Sequence, residues 1–356
     1  MTHTSKYIKP GFLIGLALVA FVACKKDGDG SATVKPGNMV ANAVTPNTAA
    51  GGELITLSGS GLSDIRTIVF EKDNVPATFN PTLNTGEHLV FRVPDTATGG
   101  PQNIILTNSK GRTATIEFNV NALPIVNSVS NYNFTEGTEI TITGFHLAEV
   151  TSVKLKTSNQ EVTIVSKSKK ELVVRMPAAT ANTSPLDITN PSGTKTTTEE
   201  FVYLDNAYQI FTEGFRNGFE NASWGPAEVT TEVAKSGTTA FKATWVKGNW
   251  WANGFASWST GVPFSTDYKY LSFWVKGGST ELVFYLTTDQ KGSGYGNSDR
   301  TTPLTIPAEV WTYFKLPLTT VKLWENGTPF KQLGLWIPGP DDQDETLYFD
   351  DVLLIK

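Results

Sequence analysis

The chain has 356 residues, a formal charge of −5, 39% hydrophobic and 18% charged residues, and a single cysteine. That length suggests two or three domains, and the acidic balance offers no basic footprint for nucleic acid. Its three histidines, His3, His88 and His146, leave few positions for an imidazole-built zinc site or a Ser-His-Asp triad. Lys6 and Lys9 precede an apolar run over residues 12–23. This charged-then-apolar layout is that of a secretory signal and is too short for a permanent membrane span. The run ends at Cys24. Exported proteins normally use cysteine in pairs, so a lone one at the cleavage point predicts a mature fold without disulfides. Residues 25–40 carry few apolar side chains and read as a flexible tether.

Val22-Ala23-Cys24, with Phe21 before it, resembles the bacterial lipobox. The resemblance makes residues 1–24 a lipoprotein signal peptide and Cys24 the lipidated first residue. Lys25-Lys26-Asp27 and Asp29 behind it resemble the surface-export signal of Bacteroidetes lipoproteins. That implies a lipid-anchored protein of the outer membrane facing outward.

Two blocks of sequence then repeat. Gly52-Glu53-Leu54-Ile55-Thr56-Leu57-Ser58-Gly59 aligns with Gly137-Thr138-Glu139-Ile140-Thr141-Ile142-Thr143-Gly144. The register continues from Leu89-Val90-Phe91-Arg92-Val93-Pro94 to Leu172-Val173-Val174-Arg175-Met176-Pro177. A third pair is Leu106-Thr107-Asn108-Ser109-Lys110-Gly111 with Ile188-Thr189-Asn190-Pro191-Ser192-Gly193. Short alternating apolar runs between Gly, Pro, Asn and Ser predict all-β sandwiches. Gly59 and Gly144 are expected where the chain turns sharply after a strand. The motif of a Gly-bounded Thr strand and a later Asn-x-x-Gly hairpin resembles the IPT/TIG immunoglobulin-like fold, at residues 41–121 and 122–204. Such modules commonly act as spacers, and His88 and His146 within them are assigned no chemistry.

Beyond residue 204 the composition changes: all nine tryptophans lie from Trp224 onward. Strands are predicted over residues 240–247, 270–276, 281–287, 311–316, 332–337 and 346–355, a two-layer β jelly roll over 205–356. Alternation places Leu271, Phe273 and Val275 on one face and Tyr270, Trp274 and Lys276 on the other; likewise Leu333, Leu335 and Ile337 oppose Trp336. Trp245 shares a face with Phe241 and Ala243 and is expected in the core. Trp311 and Trp324 fit either environment. Trp224, in a loop-like segment, and Trp250 and Trp251, after the Gly248-Asn249 turn, are the first candidates for a stacking platform, followed by Trp258 and Trp336. Asn249, Asn253 and Gln290 are candidate hydroxyl partners.

Gly218-Phe219-Glu220, Lys235-Ser236-Gly237 and Leu347-Tyr348-Phe349-Asp350-Asp351-Val352 resemble segments of β-sandwich carbohydrate-binding modules. With the anchor and the tandem repeats, the chain resembles Bacteroidetes surface glycan-binding proteins of the SGBP-B type, encoded in the SusE/F position and carrying a C-terminal xyloglucan-binding-like domain. The resemblance implies non-catalytic capture of a β-linked plant-type glycan, xyloglucan or a related β-glucan or hemicellulose, for a SusC/SusD-like importer. It also implies a structural calcium held by Glu220 and Asp350, with no cofactor required for activity. A protein-adhesion or assembly module is the alternative. A glycoside hydrolase ranks lower, because Asp341, Asp342, Asp344 and Glu345 cluster in one loop instead of flanking a cleft.

Overall fold

The computed structural model describes residues 38–248, 252–288, 302–325, 327–338 and 342–356. Cys24, the apolar run before it and most of the tether lie outside the described residues. What is described is built of strands joined by turns and short 3-10 segments.

The first repeat contains β1 (Val40–Thr45), β2 (Thr48–Ala50), β3 (Leu54–Ser60), β4 (Ile65–Phe70), β5 (Val75–Ala77), β6 (His88–Arg92), β7 (Gly100–Asn108) and β8 (Thr113–Asn121). They form a three-stranded sheet, β1-β3-β6, and a five-stranded sheet, β2-β8-β7-β4-β5. Alternate residues such as Ile55, Leu57, Leu89 and Leu106 are fully buried in one core. The second repeat contains β9 (Ile125–Val129), β10 (Asn133–Phe134), β11 (Glu139–Phe145), β12 (Ser152–Leu155), β13 (Gln160–Lys167), β14 (Glu171–Arg175), β15 (Thr183–Ser184), β16 (Leu186–Asn190), β17 (Gly193–Thr196) and β18 (Phe201–Tyr203). The aligned sequence blocks fall on equivalent strands: β3 with β11, β6 with β14, β7 with β16. In both repeats an early short strand runs parallel to the last, β2 with β8 and β10 with β18.

The repeats differ in how their two layers join. In the second, the eight-residue β13 pairs with both β12 and β14 and fuses the layers into one seven-stranded sheet. Its counterpart β5 is three residues long and pairs with β4; one bridge, Phe79 to Phe91, reaches β6 before the 3-10 segment Pro81–Leu83 ends the run. With no longer ladder between them, the two sheets of the first repeat stay separate.

Gly59 and Gly144 do not sit at the sharp turns expected of them. Both lie inside strands, beside register shifts in β1/β3 and β9/β11. A Cβ would stand 1.9 Å from the Val40 carbonyl oxygen at Gly59 and 1.7 Å from that of Ile125 at Gly144. The glycines are there for close approach of two backbones at a bulge. Gly144→Ala is expected to lower stability by about 1–3 kcal/mol through forced displacement of β9. Gly86→Ala, where nothing lies within 4 Å, should stay within about 0.5 kcal/mol; urea midpoints of the two variants check both. The Asn-x-x-Gly hairpins form as read, with Asn108 Oδ1 accepting from the Lys110 and Arg112 N–H groups and Asn190 Oδ1 from that of Ser192.

The C-terminal domain contains β19 (Tyr208–Phe211), β20 (Glu220–Asn221), β21 (Ala227–Thr230), β22 (Ala240–Trp245), β23 (Ala252–Ala256), β24 (Tyr270–Lys276), β25 (Leu282–Thr287), β26 (Leu304–Ile306), β27 (Trp311–Pro317), β28 (Gln332–Trp336) and β29 (Glu345–Ile355). One sheet has the order β21-β22-β29-β24-β27, with β19 pairing β29; the other is β20-β23-β28-β25-β26. Between them lies an aromatic core in which Phe241, Phe255, Phe273, Phe284, Phe349 and Trp245 are sealed. Phe241 and Phe255 meet at 4.8 Å across the layers.

Each joint is bonded. Between the repeats, Asn190 Nδ2 donates to the Ala122 carbonyl at 2.7 Å, Ser192 Oγ accepts from the Ala122 N–H, and Lys169 pairs with Asp73 at 2.9 Å. The second repeat packs on the outer face of the six-stranded sheet: Val202 is buried with Leu353 and Ile355, and Lys315 pairs with Glu200 at 2.8 Å. Trp274 is 5% exposed; its Nε1–H donates to Asn131 Oδ1 at 2.9 Å, and its ring stacks on Tyr132 and leans on Tyr313.

A bulge in β29 puts Asp351 at φ 47 and leaves Asp350 and Asp351 both buried at this seam. Asp350 accepts N–H bonds from Lys235, Ser236 and Asp351; Asp351 accepts from Asn131, Asn133 and the Ser236 hydroxyl. Burial, then the neighbouring Asp351 charge, pushes the Asp350 carboxyl up to about 8 against those donors. Burial likewise raises Asp351. A carboxyl raised on folding binds more protons in the native state than in the unfolded one, so stability falls as pH rises. The urea midpoint is expected to decline from about pH 5 to about pH 8, with a smaller decline in Asp350→Asn.

Candidate functional site: an aromatic row on the five-stranded sheet

The face of the β20-β23-β28-β25-β26 sheet turned from the core is set by strand alternation. On β28, Leu333 and Leu335 point inward, which turns Trp336 outward; on β25, Phe284 and Leu286 point inward, which turns Tyr285 outward. Trp336 pairs in register with Ala252 on one side and Tyr285 on the other. The two rings meet at 5.5 Å with a 39° tilt.

Trp224 extends the row at the sheet's edge. After β20, the Ala222 N–H donates to the Gly254 carbonyl and the Trp224 N–H to that of Ala252 at 3.1 Å, so the segment stays alongside β23 past the end of β20 and into a bend. Three more bonds hold the turn beyond it: Asn221 Oδ1 accepts from the Ser223 N–H, Ser223 Oγ from that of Gly254, and Asn253 Oδ1 from that of Gly225. The backbone is fixed while the indole is 65% exposed. Trp224, Trp336 and Tyr285 thus line up across the strands, roughly 14 Å from first to last at about 4.8 Å per strand. Ala252 between them is too small to interrupt the row.

Trp258 is 52% exposed but stands at the other end. It lies six residues along from Ala252, roughly 20 Å away at about 3.3 Å per residue. Its carbonyl is held by Lys331 Nζ at 3.0 Å. Trp250 and Trp251 lie outside the described residues, as do Asn249 and Gln290; the tryptophan pair directly precedes Ala252 in the chain. Asn253 is not a hydroxyl partner: it is fully buried, and its Nδ2 donates to the Thr244 carbonyl.

Trp245, Trp274 and Trp324 serve the fold. Trp245 is sealed in the core and Trp274 in the seam. Trp324 donates its Nε1–H to the Val262 carbonyl and stacks on Tyr268. Trp311 is half-buried at the start of β27. Tyr285 is a site residue that reading for tryptophan missed; the alternation of Phe284 and Leu286 around it was the available signal.

Glu220 and Asp350 do not come together. Glu220 is exposed on the edge strand β20 of one sheet, whereas Asp350 is buried on β29 of the other, with both oxygens accepting N–H bonds. As a pair they cannot hold a calcium ion, which needs several converging oxygens. No cluster of three or more His, Cys, Asp or Glu suited to a metal occurs among the described residues. Two of the four acidic residues singled out, Asp344 and Glu345, are also committed elsewhere, and Asp341 lies outside the described residues. Asp344 accepts the Lys247 N–H, and buried Glu345 accepts from the N–H and hydroxyl of Ser279. Burial works to raise the Glu345 carboxyl, but the Ser279, Gln343 and Thr280 donors outweigh it and hold it below its ordinary range.

A family model for the IPT/TIG domain matches residues 124–203. The second repeat is an IPT/TIG domain. No curated protein matches the chain. Among solved structures, a surface glycan-binding protein from Prevotella bryantii is similar over 90% of this chain and 99% of its own, with 16% identity and a TM-score of 0.49. SGBP-B from a complex xyloglucan utilization locus in Bacteroides uniformis is similar over 90% and 100%, with 18% identity and a TM-score of 0.44. The family 30 carbohydrate-binding module of a Clostridium thermocellum cellulase is similar over 42% of this chain and 97% of its own, with 20% identity and a TM-score of 0.32. The IPT/TIG domain thus sits directly before the sandwich that carries the aromatic row.

Proposed function

We propose that this chain is a non-catalytic glycan-binding protein of the cell surface, anchored in the outer membrane through a lipid on Cys24. It captures a β-linked plant-type glycan, xyloglucan or a related β-glucan, for a SusC/SusD-like importer. The observation that carries the reading is the row formed by Trp224, Trp336 and Tyr285 on the sheet face turned away from the IPT/TIG domain. Flat, rigid rings offer their faces to the C–H side of pyranoses at small entropic cost. A row across several strands suits an extended chain of sugars rather than a single ring. Binding without hydrolysis is supported by the carboxylates: hydrolysis needs an acid and a base facing each other across a cleft, whereas Asp344 and Glu345 are occupied by backbone and side-chain donors.

Affinity electrophoresis through gels containing xyloglucan, mixed-linkage glucan or starch tests it. Retardation is expected in the β-glucan gels and not in starch, with no reducing ends released. Release of reducing ends would make the chain a hydrolase. Free migration in every gel would favour a protein-adhesion role.

A further inference from the structure

We propose a second saccharide site in the seam between the IPT/TIG domain and the six-stranded sheet. The proposal rests on the reading of the chain as a glycan binder and adds a location that the aromatic row does not include. A shallow hollow of ≈ 560 Å³, open to solvent along one side, lies there. Its floor is aromatic: Tyr132 from the IPT/TIG domain contacts Trp274 and Tyr313 from the sheet, at 5.9 and 5.0 Å. At its wall stands Trp311, half-buried, next to Val310, which is 54% exposed. Trp311 points to the same side of β27 as Tyr313 and Lys315, by alternation against the inward Phe314 and Leu316.

The polar groups of the hollow suit hydroxyls. Asn127, on the exposed stretch of β9, supplies an amide, and Lys235, whose ammonium lies 4.1 Å over the Trp274 ring, supplies a donor. Trp274 itself is sealed beneath Tyr132 and Lys235, so the apolar surface left for C–H groups is that of the half-buried Tyr132, Trp311 and Tyr313, with amide and ammonium groups around it as partners for sugar hydroxyls. The hollow exists only where two domains meet, so it would hold saccharide against both and tighten the joint as it fills.

Isothermal titration of the full chain with xyloglucan and mixed-linkage glucan oligosaccharides tests the proposal. The parent protein is expected to show two classes of site. Trp224→Ala/Trp336→Ala should retain the seam component, and adding Trp311→Ala should weaken what remains at least tenfold. Asn127→Trp, which fills the hollow from an exposed position without removing a ring, should have the same effect on that component. A 1:1 stoichiometry in the parent, or residual binding indifferent to both seam variants, overturns the second site while leaving the row intact. If the double row variant binds like the parent and Trp311→Ala abolishes binding, the row fails and the seam stands.

Discussion

Replacing Trp224 and Trp336 together by alanine is expected to cut retardation in xyloglucan gels sharply, to what the seam site alone sustains, and to leave the melting temperature within a few degrees of the parent. Ring anchors at recognition surfaces cost about 2 kcal/mol or more each on truncation, roughly 30-fold in affinity. Two in one row should weaken binding by more than about 100-fold, allowing for incomplete additivity. Trp224 can be removed at little structural cost because its backbone, not its indole, makes the bonds that hold the turn. Trp258→Ala is the internal control. It is nearly as exposed, but it stands at the opposite end of the sheet and should leave retardation unchanged. Equal losses from Trp224→Ala and Trp258→Ala would show that the row is not the platform.

Trp274→Ala is expected to produce the largest loss of stability of any single tryptophan change at the domain seam. Truncating a sealed aromatic costs about 3–5 kcal/mol. Here it also strands the side-chain oxygen of Asn131, which accepts the indole N–H, and removes the ring on which Tyr132 stacks. The loss should appear as a lower urea midpoint and as a broadened small-angle scattering profile, since the IPT/TIG domain and the sandwich would no longer be held at one angle. An unchanged midpoint with an unchanged profile would assign the joint to the Val202, Leu353 and Ile355 cluster instead.

Much of the architecture was legible before any coordinates, and the reasons are local. The six strands predicted in the C-terminal part formed within one or two residues of their expected bounds, because each is a short run rich in bulky apolar and aromatic residues, several of them alternating with polar ones. The aligned repeat blocks landed on equivalent strands for the same reason. Five strands went unread, the short β19, β20, β21 and β26 and the central β23, Ala-Asn-Gly-Phe-Ala, which is poor in β-formers because its outward positions are Ala and Gly. That same bareness leaves room beside Trp336. Gly59 and Gly144 were read as turns because a glycine after an alternating run ordinarily marks one. Their actual constraint, a carbonyl oxygen from a neighbouring strand, lies some fifteen to twenty residues away in sequence. The segregation of tryptophan toward the C-terminus has more than one cause: Trp245 fills a core, as its alternation with Phe241 and Ala243 indicated, and Trp274 closes a joint, which is legible only once it is known which sheet face the preceding domain covers.

That covering decides how the molecule meets a polymer. The IPT/TIG domain leans on one layer of the sandwich, so the opposite layer is presented broadside, with neither end of the row capped by a preceding domain. If the row is the platform proposed above, a long chain is met anywhere along its length, which favours intact fibres over their termini.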